Sequence, residues 1–155
     1  MSTTNPPLEW MTRIRRGLRQ LIPGRSIESR NLGIAGERRA VWFYRWRGYS
    51  IEERNLRTSD GEIDLIVMRS RTVVFVEVKS RRLLHRGNPH EAVDRAKQLR
   101  IARLAERYLR QRDLSGYEVR FDVVSLVWTG HRFRLEHFPG AFALASDEVR
   151  PWRVR

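Results

Sequence analysis

The 155-residue chain has 31 lysines and arginines against 18 acidic residues, a formal net charge of +13, with 41% hydrophobic residues and no cysteine. Such a chain can bury the core of one ordinary domain, and it excludes disulfides and thiolate metal sites. No apolar run reaches membrane-spanning length and the first residues lack a secretory core, so we expect a cytoplasmic protein without membrane contact, whose charge favours a polyanion such as nucleic acid.

Residues 1–30 mix Pro, Ser and Thr with Arg13, Arg15, Arg16 and Arg19 and read as a flexible basic arm, with one short helix near residues 9–21. The arginines either track a nucleic-acid backbone or form a solvated face. A domain over residues 31–146 follows, then a tail over 147–155. A helix is predicted from Leu32 to Trp46, ending near Gly48. Glu37 precedes Ala40, Val41 and Tyr44 by three, four and seven positions and shares their inner stripe. It is either a ligand or water-positioning carboxylate, or a glutamate placed by the helix dipole or paired with an arginine. Trp42, Phe43, Tyr44 and Trp46 have the composition of a nucleic-acid stacking surface, but they crowd both sides of this helix, which favours core packing for some and a partner interface for others.

YSIEERNLR reads as a first strand, and GEIDLIVMRSRTVVFVEVKS as a hairpin of two more. In the next segment Asn88 suits a helix cap, Pro89 the first helical position, and Glu91 stands three residues past the cap. Its expected inner stripe is Val93, Ala96, Leu99 or Arg100, Leu104 and Tyr108. YEVRFDVVSLVW and, after the turn at Thr129-Gly130, HRFRLEHF are the remaining strands. The order is helix, three strands, helix, two strands, in an α/β fold.

The hairpin poses a problem of cost, because Asp64, Glu77 and Lys79 stand in otherwise apolar strands where unpaired charge is expensive. With Ser70-Arg71 as a two-residue turn, Arg69 faces Thr72, Met68 faces Val73, Ile66 faces Phe75 and Asp64 faces Glu77. Lys79 then shares the Glu77 face, with Glu62 opposite. Opposed carboxylates repel unless they share a proton or a cation, so this is either a metal site or a surface salt-bridge cluster. Phosphodiester cleavage would need such a set: Asp64, Glu77 and a strand carbonyl, taken as that of Val78, suit a hard cation such as Mg2+. Lys79 would orient water and neutralise developing charge. Lys79 and Lys97 are the only lysines, and Lys97 or Gln98 would reach the same phosphate if the long helix crosses the sheet edge. Arg81, Arg82 and Arg86 extend the basic surface; Arg86, His85 and His90 are either phosphate contacts or exposed loop and cap residues. Asp122 reads as a hydrogen-bonded structural aspartate, and His131 and His137 as ordinary surface or packing residues.

GEIDLI followed by VVFVEVKSR resembles the PD-(D/E)xK nuclease superfamily. NLGIAGERRA, RGYSIEERNLR, EAVDRAKQLRIARLAERYL and RFDVV extend the likeness, over roughly residues 31–138, to the YraN-type, UPF0102 family, which is similar to archaeal Holliday-junction resolvases. The resemblance implies a restriction-endonuclease-like αβββαβ core, a mixed central sheet flanked by helices, with Mg2+ or Mn2+ as cofactor. By this likeness Asp64 and Glu77 match the metal ligands, Lys79 the catalytic lysine, Glu37 the acidic residue of the first helix and Gln98 the polar helix residue beside the site. Ile63 stands where the motif's proline would be. The expected function is a metal-dependent endonuclease on DNA, branched or structured, acting as a homodimer. A noncatalytic nucleic-acid-binding protein and an RNA-directed nuclease remain alternatives.

Overall fold

The computed structural model describes residues 27–82 and 95–142. The first helix, α1, spans Ile27–Trp46. It begins ahead of the predicted Leu32, since nothing between Ile27 and Leu32 breaks a helix. Gly48 ends it in a left-handed conformation (φ 77°), with Gly48 N–H donating to the Arg45 carbonyl at 3.0 Å and Tyr49 N–H to that of Tyr44 at 3.1 Å. This paired closure satisfies carbonyls that the last turn leaves open.

Five strands form one sheet in chain order: β1 (Ser50–Thr58), β2 (Gly61–Arg69), β3 (Thr72–Arg82), β4 (Glu118–Trp128) and β5 (Phe133–Phe138). Neighbours are antiparallel except β3 and β4, which are parallel. A parallel pair needs a long crossover, and the segment containing the second helix, α2 (Arg95–Gln111), supplies it. The helix, three-strand, helix, two-strand order and the mixed αβββαβ core are thus present. The hairpin register is also as predicted: Arg69 pairs with Thr72, Met68 with Val73 and Ile66 with Phe75. Ser70 makes the turn by adopting φ 55°.

Strand alternation separates two cores. Val73, Phe75, Phe121 and Val123 pack under α2, while Leu65, Val67, Val74, Val76, Val124 and Leu126 pack under Ala40, Val41 and Tyr44 of α1. On α2, Leu104 and Tyr108 are buried as predicted and Leu99 packs at the margin, but Ala96 and Arg100 are exposed. The buried face is set by Ile101, Leu104, Ala105 and Tyr108, an i, i+3, i+4, i+7 series widened by Ala102 and Leu109. The predicted start of this helix, with Asn88, Pro89, Glu91 and Val93, lies outside the described residues, as do the basic arm to residue 26 and the tail. On the other face α1 approaches β3 closely at Gly36, where a β-carbon would stand 1.8 Å from Ser80 Oγ.

Candidate active site

The hairpin pairing stops at Leu65 and Val76. Beyond it β2 continues against β1 to the Thr58–Gly61 pair, while β3 continues against β4 to the Arg82–Trp128 pair. The strands part, and Asp64 and Glu77 stand at the fork. Asp64 Oδ2 takes up the Val78 N–H at 2.7 Å, so a side chain replaces the missing ladder partner. The fork also corrects two expectations: Asp64 and Glu77 are not ladder partners, and Glu62 does not oppose Lys79. It leaves with β2, pairs with Arg57 of β1 and makes an exposed 3.6 Å ion pair there.

Glu77 follows the alternation of Val73 and Phe75 and therefore lies on the α2 face, where it is 7% exposed. Lys79 Nζ and Lys97 Nζ each lie 2.5 Å from its Oε1. The two lysines of the chain, one from β3 and one from the first turns of α2, thus meet on one carboxylate oxygen. Burial pushes the Glu77 carboxyl up, but the two ammonium groups outweigh it and hold the group below the usual carboxylate range. For Lys79, burial disfavours the charge, yet Glu77 more than compensates and keeps it protonated.

Asp64 is different. Burial, and then the Glu77 charge, push its carboxyl up to about 7, against the opposing pull of the Val78 N–H and the lysines. Near neutral pH it is poised between charged and neutral, the state of a carboxylate that lacks enough positive charge. Ser125, buried, stands in register with Lys79 on β4.

The structure therefore gathers Asp64, Glu77, Lys79 and Lys97, with Val78 contributing its N–H to Asp64. Lys97, expected to meet phosphate, holds Glu77 directly. Glu37 is half-buried on α1 and accepts a 3.0 Å bond from Asn55, a β1 residue at φ 51°. No hydrogen bond or ion pair among the described residues joins Glu37 to the cluster. Gln98 accepts a bond from Arg95 at 3.4 Å. Arg81 is half-buried on the Lys79 face, with burial lowering its pKa and no hydrogen-bond partner for its Nε among the described residues, and Arg82 is exposed. Arg13, Arg15, Arg16, Arg19, His85, Arg86 and His90 lie outside the described residues.

Asp122 is the hydrogen-bonded structural aspartate that its sequence context suggests. Fully buried on the α1 face, it receives the Tyr44 hydroxyl at 2.8 Å, both arms of Arg120 at 2.8 and 2.9 Å, and the Gly140 N–H at 3.1 Å. His137 Nε2 stands 2.8 Å away. Burial raises the Asp122 pKa, but the His137 and Arg120 hydrogen bonds reverse the effect and leave it lowered. His137 is therefore a packing residue as read from the sequence, although its partner had no local signal.

The family described as "Uncharacterised protein family UPF0102" matches residues 36–126. The chain is 45% identical over 112 residues to the UPF0102 protein of Syntrophotalea carbinolica, covering 72% of this chain and 91% of that one. It is 43% identical over 115 residues to the UPF0102 protein of Myxococcus xanthus, covering 74% and 91%. Against the UPF0102 protein of Geobacter metallireducens it is 42% identical over 121 residues, covering 77% and 98%. Glu37, Asp64, Glu77, Lys79, Lys97 and Asp122 all fall inside the matched segment.

Proposed function

The chain belongs to the UPF0102 family, and from the acid pair at its strand fork we propose that this member is a metal-dependent endonuclease hydrolysing phosphodiester bonds in DNA, with branched or otherwise structured DNA preferred. One observation carries the reading. A buried carboxylate, Glu77, and a half-buried one, Asp64, meet at a strand fork beside both lysines of a chain of net charge +13, and Asp64 is left short of positive charge. A cluster serving stability alone would have no use for that shortage.

Asp64 and Glu77, with the Val78 carbonyl, would hold a hard divalent cation such as Mg2+ or Mn2+. Such an ion supplies phosphate polarisation and a more acidic water when bound. The donor chemistry fits, since added positive charge relieves the raised pKa of Asp64. Among the described residues no three His, Cys, Asp or Glu side chains gather, so water would complete the oxygen set. Lys79 stays protonated and acts as a cation toward negative charge developing on the phosphate. Because Lys79 and Lys97 share one Glu77 oxygen, one can turn to phosphate while the other keeps the carboxylate paired. Glu37 and Gln98 enter as water- and phosphate-positioning groups through the nuclease resemblance, and so does a homodimer, which light scattering over a broad concentration range would test.

The proposal is tested on a panel of junction, flap, duplex and RNA substrates with Mg2+ and Mn2+. Cutting of structured DNA is expected, with a roughly 100- to 1,000-fold rate loss in Lys79→Ala and retained DNA binding. Unchanged cutting in both Lys79→Ala and Asp64→Ala would reject the site; salt-sensitive binding without turnover under any metal would favour the noncatalytic alternative.

A further inference from the structure

The outer face of α1 is turned away from the fork, because α1 covers the opposite side of the sheet. On it Trp42 is 61% and Trp46 81% exposed, and Ile34 is 51% exposed. Residues three and four apart are neighbours on a helix surface. The neighbours of Trp42 are therefore Arg38, Arg39, Arg45 and Trp46. Those three arginines are exposed, and their side chains enter no ion pair or hydrogen bond among the described residues. The one acidic group among the described side chains of α1, Glu37, is engaged by Asn55. The sequence placed some of these aromatics in the core and some in a partner interface: Tyr44 is buried, while Trp42 and Trp46 are left open.

We propose that this face binds unpaired DNA, with Trp42 and Trp46 stacking on exposed bases and Arg38, Arg39 and Arg45 meeting the phosphates. Charge decides the occupant. A second copy of the chain docked here would bring the same arginines face to face, and the basic arm would be repelled in the same way, whereas a polyanion is attracted. Aromatic residues interleaved with arginines also suit single strands rather than duplex, because duplex bases are already stacked on one another. Trp42 and Trp46 are one turn apart, a rise of about 6 Å, within the range at which flat rings pair with neighbouring rings. An anionic membrane is a poorer fit, since the continuous apolar side of α1 is spent on the sheet. The surface is separate from the fork, and its binding does not depend on cleavage.

The test measures fluorescence anisotropy of labelled oligo-dT of about 20 nucleotides, its duplex, and oligo-rU, with the full chain in chelator so that no cutting intervenes. Trp42→Ala/Trp46→Ala should lose about tenfold or more in oligo-dT affinity while duplex binding stays nearly constant. Trp42→Phe/Trp46→Phe should restore most of it, and an unchanged melting temperature certifies the fold. Equal loss on dT and duplex, no loss on either, tighter binding to rU than dT, or binding to anionic vesicles that oligo-dT does not compete would each overturn the assignment. So would a change in sedimentation mass with dT affinity intact. Absence of cleavage with the dT effect present would fault the nuclease reading alone, and cleavage with no dT effect would fault this surface alone.

Discussion

Asp122, fully buried, and the pair of half-buried Asp64 with buried Glu77 are acids on opposite faces of one sheet, yet their surroundings differ in kind. Asp122 meets a bidentate arginine, a tyrosine hydroxyl, a histidine and a backbone N–H, and its pKa is lowered. Asp64 meets one backbone N–H and a neighbouring carboxylate, and its pKa is raised to about 7. A network that satisfies its acid holds helix to sheet, whereas one that leaves its acid short would, on the proposed reading, keep capacity for an arriving cation. The comparison teaches that burial of charge alone does not mark a working site. The unmet remainder does.

The largest expected break in this contrast is on the structural side. Asp122→Ala leaves Arg120, Tyr44, His137 and the Gly140 N–H without their acceptor, and chemical denaturation should show a loss of about 3–5 kcal/mol. The fork residues lie on the other face, so the cleavage rate per folded molecule should hold.

Asp64→Asn should move stability the other way. The folded pKa of Asp64 lies above its unfolded value, so its ionisation costs stability that is absent at low pH and reaches its full size above about pH 7. In metal-free buffer near pH 8 the variant should exceed the wild type by about 1–2 kcal/mol, and near pH 4 the gain should vanish. Asn can still accept the Val78 N–H.

Acid titration sharpens the contrast with a smaller effect. Asp122 has a lowered folded pKa, so its contribution is fully present above its unfolded pKa and is lost as pH falls through the folded one. The stability gap between wild type and Asp122→Asn should therefore narrow on acidification, measured by urea melts at successive pH values.

The hairpin register was legible because period-two alternation and a two-residue turn constrain it locally. The charges of Asp64, Glu77 and Lys79 were legible because they conflict with the strands that carry them. The fork was not, since it arises where β3 exchanges β2 for a parallel partner far along the chain. That exchange sends Glu62 to Arg57, against the expected opposition to Lys79. Lys97 reaches Glu77 across 20 positions and Tyr44 reaches Asp122 across 78, distances at which no local spacing rule operates. The rarity of lysine in an arginine-rich chain was the one signal that singled out Lys97.

The most direct test of the claim that Asp64 and Glu77 await a cation is the melting temperature of wild type and Asp64→Asn with and without Mn2+. Mn2+ should raise the wild-type midpoint by several degrees, corresponding to about 1–3 kcal/mol of linked binding, and leave Asp64→Asn unmoved. No shift in the wild type, or an equal shift in both proteins, would contradict it.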